Sequence, residues 1–412
     1  MTQLLIRGGR VVDPAGKLDA LRDVRVRDRR IAEIGEHLTA RDDEELFDAG
    51  GAVVAPGFID MHVHLRYPGY PEKETIDTGT RAAVRGGFSS VACMPNTNPA
   101  LDTPDAIELL NAEAATRAHC RVYAIAAMTR GRRGRELADF AALARAGAVA
   151  FSDDGDTVAD AAVAHAAAVR ARDVPAPFIG HCEEPALKAA LGNDGIVEDA
   201  AVARDLLIAA STKKAWHIAH LSTATALALL RFARTCGVCA TCEVTPHHLT
   251  FSAGTTGLGA SEAVNPPLRR DADVAALRAG VRDGTIDVFA CDHAPHTAAE
   301  KAADGTDAAP GYSGLEVAVG AYAAAVPDLP LSRFVELLSV NPARILRLPP
   351  PSLTPGSVAD ITMFADRSWI VRPQDFASLG KFTPFAGRAL PRKILATVVD
   401  GRLAYHASRE TA

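Results

Sequence analysis

The sequence predicts an α/β protein: a closed, parallel (β/α)8, TIM-like barrel with a small β-sandwich domain formed by both termini. Three observations carry this expectation. Through the middle of the chain, short apolar runs with polar C-terminal ends alternate with Ala-rich helical segments, eight times over. Both ends instead read as short strands broken by turns. The length, 412 residues, suits one large domain plus a smaller one.

The N-terminal strands are "QLLIRGGRVVD", "DVRVRDRRIAEIG" and "ELFDAGGAVVAPG"; the C-terminal ones are "ADITMFADRSWIV" and "KILATVVDGRLAY". Strand–Asp–Gly and strand–Gly–Gly turns mark both sets. Residues 1–55 plus 356–412 are expected to pair as one β domain, which brings the termini together. Residues 56–355 form the barrel. Its strands are "GFIDMHVH", "SSVACMPN", "RVYAIAAM", "AVAFSDD", "PFIGHCE", "WHIAHLS", "CATCEVTPHH" and "DVFACDHAPH". Between them lie helical segments such as "KETIDTGTRAAVRGG", "TPDAIELLNAEAATRA", "RELADFAALARAG" and "DADVAALRAGVRDG". An open, doubly wound sheet is the alternative, but no GxGxxG follows any strand.

Composition narrows the function. The chain is 48% hydrophobic and 23% charged, ordinary for a soluble globular protein. A net charge of −6 exerts no overall pull toward nucleic acid. No apolar run is long enough for a membrane helix, and "MTQLLIRGGRVVDPAG" lacks a signal-peptide pattern. Seven cysteines, an odd count, point to reduced thiols and a cytoplasmic location. Of these, "CGVCATC" (Cys236, Cys239, Cys242) has metal-like spacing. Its first member ends a helical segment, and the other two, at i and i+3 of a strand, face opposite sides. They read as small hydrophobes.

The stretch "FIDMHVHLR" carries the chemistry. At i and i+2 of a strand, His62 and His64 share a face, with Asp60 on the same side. Alone, the pair fits two core histidines. The other strand ends change that, because function in such a barrel collects there. The fourth strand ends in Asp153 and Asp154, the fifth in His181, the sixth in His220, and the eighth in Asp292, His293 and His296. Four imidazoles with two or more carboxylates suit two divalent ions, zinc foremost. Such ions need a bridging group, acidify bound water and polarise a carbonyl. The site is therefore built to hydrolyse an amide-like bond or to form one, with Asp292 as candidate proton shuttle.

Together, "HVHLR", "MPNTNP", "FSDDGD", "HCEE", "HIAHLST", "EVTPHHL", "VNPPLR", "DHAPH" and "GYSGLE" resemble the dihydroorotases of the amidohydrolase superfamily, over nearly the whole chain. The resemblance implies zinc, one or two ions per subunit. It places His62 and His64 on the first ion, His181 and His220 on the second, and Asp292 on the first ion as proton shuttle. No lysine stands at the fourth strand end. The branch of the family carrying "DDG" bridges with an aspartate, which implies Asp154 rather than Asp153, a choice pleat geometry leaves open. Arg66, Asn96 and His296 are the implied binders of the substrate carboxylate, Asn265 a ring contact, and "APGYSGLE" a pocket-closing segment.

The implied reaction is the reversible cyclisation of N-carbamoyl-L-aspartate to L-dihydroorotate in pyrimidine synthesis. A related cyclic amidase, a dihydropyrimidinase or allantoinase, is the second reading, but its substrates give Arg66 and Asn96 no carboxylate to hold. A silent homologue scaffolding aspartate transcarbamoylase is the third, and such homologues lose the ligands that this chain keeps. The implied partners are a small-molecule substrate, aspartate transcarbamoylase and a second copy of the chain as a homodimer. His247 and His248 read as packing or supporting groups, His217 as structural by strand parity, and Arg130–Glu136 as a solvated basic loop. One departure stands out. His181 and His220 are 39 positions apart, shorter than the family's usual spacing, with the shortening around "LGNDGIVEDA".

Overall fold

A computed structural model describes residues 3–302 and 308–409. Eight parallel strands run in sequential order: Phe58–Val63, Phe88–Cys93, Arg121–Ala126, Ala148–Phe151, Phe178–Gly180, Trp216–Ile218, Ala240–Val244 and Val288–Phe289. Seven lie within the predicted segments, and the second starts one residue before its segment, at Phe88. The first and last meet where His64 N donates to His293 O at 2.8 Å, beside a parallel bridge between Val63 and His293. This seam closes the barrel.

The connecting helices start where the sequence supplies a cap. Thr75 opens Ile76–Arg85 with a capping box, Thr103 opens Pro104–Arg117, Asp160 opens Ala161–Arg170 and Thr223 opens Ala224–Thr235. Each cap side chain accepts a backbone N–H that the first turn leaves unpaired. The helices pack on outward-facing Phe58, Phe88, Val91, Phe151, Phe178 and Ile218. Inside, Met61, Ala92, Ile125, Ala150, Ile179, Ala219 and Val288 form an apolar layer, stoppered by Ile345 and Leu346. Asn341 on the stopper helix donates to Asp287 O at the start of the eighth strand, so the apolar layer lies toward the N-terminal end. That leaves the opposite mouth for polar groups.

The termini form a separate sheet. Its strand order is Arg402–His406, Lys393–Val399, Ile361–Ala365, Val53–Pro56, Gln3–Asp13, Leu18–Arg27 and Arg30–Gly35, with Glu44–Asp48 parallel to Gln3–Asp13. Its core is built from Leu4, Ile6, Val24, Val26, Val54, Ile361, Met363 and Val398. The sheet runs straight into the barrel through Gly57, where a Cβ would fall 2.2 Å from Ser89 Oγ, so only glycine fits. Not all of the C-terminal region stays in the sheet. Trp369–Ile370 pairs with Ala389–Leu390, and Val371, Phe376, Phe385 and Leu390 pack on Phe251, Leu258, Val264 and Tyr312 of the barrel.

Candidate metal centre and active site

The first barrel strand delivers His62, and His64 follows at the closing seam. Asp60 does not join them, contrary to the parity expectation. The register against the second strand slips between Asp60 and Val63. The Asp60 carboxylate instead accepts the backbone N–H of His62 at 3.0 Å and of Cys291 at 3.1 Å, tying the first strand to the end of the eighth. Burial raises its pKa to about 7.

The six sequence-designated ligands converge. Asp154 Oδ1 lies 3.5 Å from His62 Nε2, 3.4 Å from His181 Nδ1 and 3.5 Å from His220 Nε2, while its Oδ2 lies 3.5 Å from His64 Nε2. One carboxylate thus stands between two histidine pairs. Asp292 Oδ1 faces the first pair, 3.0 Å from His64 Nε2 and 3.5 Å from His62 Nε2. His181 Nδ1 and His220 Nε2 approach to 2.9 Å. The neighbouring Asp153 is engaged elsewhere. It accepts from the backbone N–H of Met128 and Thr129 and from the Thr129 hydroxyl.

The backbone bends to achieve this. His220 (φ 31°), Asp292 (φ 50°) and Arg66 (φ 59°) all adopt left-handed conformations that non-glycine residues rarely take. Such residues collect where a side chain must be re-aimed at a strand end.

The electrostatics invite a cation. Burial disfavours charge on His62, yet Asp154, Glu243 and Asp292 together raise its pKa well above the ordinary histidine value. Burial pushes the Asp154 pKa up, but His62, His181 and His220 hold it well below the carboxylate range. A field that keeps a proton on a buried imidazole attracts a metal ion equally. His62 Nε2, Asp154 Oδ1 and His220 Nδ1 are buried and lack a hydrogen-bond partner. Such orphaned atoms are costly unless something binds them. Two triads, His62–Asp154–His220 and His62–His64–Asp292, have ligand atoms close enough to share an ion. Nitrogen and carboxylate donors in this mix fit a divalent metal of the zinc type.

A supporting shell surrounds the six. His64 Nδ1 donates to Asn96 Oδ1 at 2.8 Å, so Asn96 orients a ligand histidine and retains its amide N–H groups. His181 Nε2 meets Glu183 at 2.9 Å. Glu183 in turn accepts from Lys188 Nζ at 2.7 Å, and Lys188 reaches Asn265 Oδ1 at 3.3 Å. Asn265 therefore joins the site through Lys188 and Glu183. Glu243 is wholly buried between His62 and His217. His217 is not turned away, as strand parity against His220 suggested. It points inward, and His220 also points inward because the strand ends and its φ turns positive. His247 and His248 share the Thr245 hydroxyl and bond to Tyr312 Oη and Pro266 O, in line with a packing role.

Sequence reasoning missed Glu243, Glu183 and Lys188. A glutamate inside the apolar strand "CATCEV" was the signal for Glu243. Glu183 stands in the quoted "HCEE" stretch, two residues from its partner His181, and Lys188 five residues beyond it; only the reach of Lys188 to Asn265 is distant in sequence.

On the mouth side, Arg66 is buried. Its Nε donates to Pro295 O at 3.2 Å, and its Nη2 lies 3.3 Å from His296 Nε2. Burial, and then Arg66, lower the His296 pKa to about 4. In the segment 309–316, Tyr312 O accepts from Ala294 N at 2.9 Å, and Gly314 N donates to His293 Nδ1 at 3.1 Å. Those backbone groups brace the "DHAPH" stretch. Arg132 of the basic loop pairs with Asp156. Cys236 and Cys239 are exposed and Cys242 is buried. The shortened stretch folds as two helices, Pro185–Leu191 and Ile196–Thr212. Arg269 anchors it, donating to Asn193 O at 2.7 Å and pairing with buried Glu198.

Residues 51–226 match the family model described as "Dihydro-orotase-like". A dihydroorotase of Pelotomaculum thermopropionicum is 47% identical, over 97% of this chain and 98% of its own. That of Syntrophus aciditrophicus is 42% identical over 98% and 99%, and that of Aquifex aeolicus 38% over 98% and 100%. Among solved structures, an L-hydantoinase (dihydropyrimidinase) from Arthrobacter aurescens superimposes with a TM-score of 0.86 at 23% identity, covering 98% of this chain and 96% of that one. A D-hydantoinase from Thermus sp. gives 0.84 at 22%, covering 98% and 95%. At that identity the structural likeness speaks for the fold.

Proposed function

The chain belongs to the dihydroorotase family; from that premise we propose how its residues interconvert N-carbamoyl-L-aspartate and L-dihydroorotate. The observation that carries the reading is Asp154 standing between His62–His64 and His181–His220, with Asp292 on the first pair. His62, His64 and Asp292 would hold one zinc ion and His181 and His220 the other, with Asp154 shared. Bound there, the ions would supply Lewis acidity to the ring amide carbonyl and acidify the attacking water.

The protein's own groups do the rest. Asp292 is the most open carboxylate of the cluster: its side chain is 11% exposed, against 3% for Asp154 and 0% for Glu243. Burial pushes its pKa up, but His62 and His64 hold it well below the carboxylate range, so it rests ionised as a base. We assign Asp292 the proton of the attacking water and its delivery to the leaving ring nitrogen. Arg66, braced by Pro295 O and His296, presents its guanidinium to the substrate carboxylate. Asn96 and His296 complete that clamp, and Asn265 contacts the ring. A cytoplasmic location, a homodimer and association with aspartate transcarbamoylase belong to the same proposal, as does the domain division at residues 55 and 356.

The test is hydrolysis of L-dihydroorotate by the zinc-loaded protein, with dihydrouracil as comparison. We expect preferential turnover of dihydroorotate, and a 10- to 100-fold rise in its KM in Arg66→Ala, roughly the loss of one charge-assisted bidentate contact. Equal turnover of both substrates would favour a dihydropyrimidinase.

A further inference from the structure

We propose that Glu243 is a positioning residue that couples the two histidine pairs, so that both metal subsites are weakened without it. This rests on the metal reading above. Glu243 sits in the seventh barrel strand, fully buried, facing the barrel interior. Its Oε1 lies 2.5 Å from His62 Nδ1 and 3.2 Å from the backbone N of His220, and its Oε2 lies 3.2 Å from His217 Nε2. One carboxylate thus holds a member of each pair: His62 by its ring, and His220 by its main chain.

Both contacts have chemical consequences. An ionised carboxylate only accepts hydrogen bonds. His62 must therefore carry its proton on Nδ1, which leaves Nε2 bare and aimed at Asp154 and Asp292, each 3.5 Å away. This is the tautomer a metal ligand needs, fixed from behind by a carboxylate. His220 needs support of another kind. Its φ of 31° is strained for a non-glycine residue, and a charge-assisted bond to its own N–H pins that conformation.

His217 completes the arrangement from the far side. It donates from Nε2 to Glu243 and accepts at Nδ1 from the Thr241 hydroxyl, 2.8 Å away. A buried carboxylate needs donors on both oxygens, and the three that Glu243 has are two rings and one strained amide. That arrangement serves orientation better than packing, which an apolar residue in the same strand would supply.

The readout is zinc affinity. Zinc-loaded full-length protein is equilibrated with a chromogenic chelator, and ions retained per chain are measured for wild type, Glu243→Ala, Glu243→Gln, His217→Ala, His62→Ala and His220→Ala. Glu243→Ala should weaken retention of both ions by about 10- to 100-fold, the range for outer-shell partners. Glu243→Gln should fall between it and wild type, because the amide oxygen still accepts from His62 while His217 can switch tautomer to meet the amide N–H. His217→Ala should have a smaller effect than Glu243→Ala.

Glu243 variants within about twofold of wild type, or a loss confined to one ion, would overturn the coupling. If Glu243→Ala loses its circular-dichroism signature, Glu243→Gln decides. His62→Ala and His220→Ala retaining zinc like wild type would instead overturn the underlying metal site, a separate failure.

Discussion

The two ends of one barrel interior make opposite use of the same strands. Toward the N-terminal end, Met61, Ile125, Ile179 and Val288 interlock with Ala92, Ala150 and Ala219 under the Ile345–Leu346 stopper. Toward the mouth, the side chains are His62, His64, Asp154, His181, His220, Glu243 and Asp292. The apolar layer satisfies packing at little conformational cost. The mouth holds buried charge and three non-glycine residues with positive φ. Each such conformation costs about 1–3 kcal/mol, and each buried Ile or Met contributes about 1.5–3 kcal/mol, so a few side chains at the bottom offset the strain at the top. Stability and chemistry are thus separated along the barrel axis.

The comparison can be broken at either end. At the mouth, Asp292→Ala should lower turnover by at least about 10²–10⁴-fold, the usual contribution of a general acid–base group, while the thermal unfolding profile stays near wild type. Comparable turnover would remove Asp292 from the proton transfer. At the bottom, Ile125→Ala should cost about 2–5 kcal/mol in denaturant unfolding, as core truncations do, with kcat and zinc content unchanged. A loss of zinc in that variant would show that the two layers are not separate.

A smaller effect lies outside both layers. Burial raises the pKa of Glu316 to about 7, against the pull of Arg85 and the N–H groups of Ala377 and Ser378. Between the unfolded value near 4.5 and about 7, the folded state keeps a proton that the unfolded state releases. Stability therefore falls as pH rises through that window and levels off above it. Glu316→Gln should remove this loss, gaining up to roughly 2–3 kcal/mol relative to wild type at pH 8 and little at pH 4.5. A gain independent of pH would contradict the assignment.

The eight strands were readable because parallel strands, buried on both faces, appear as apolar runs, here each ending in polar residues. The histidines were readable because five such ends carried the same chemistry. Parity reasoning failed in two places, both where the backbone departs from a regular pleat. The register slip after Asp60 moves that carboxylate to the seam, and the positive φ at His220 lets it share the interior with His217. Asp154 and Asp153, adjacent in sequence, are separated only by their partners: histidines for one, Thr129 and Met128 for the other. The reach of Lys188 to Asn265 spans 77 positions, and the 369–390 hairpin packs on the barrel through distant side chains. No local pattern encodes such contacts.

The central claim is that Asp154 stands between two ion sites. Anomalous scattering at the zinc edge from crystals of the zinc-loaded protein tests it most directly. Two peaks are expected at the mouth, one among His62, His64 and Asp292 and one between His181 and His220, each in contact with Asp154. A single peak away from Asp154, or none at the mouth, would contradict it.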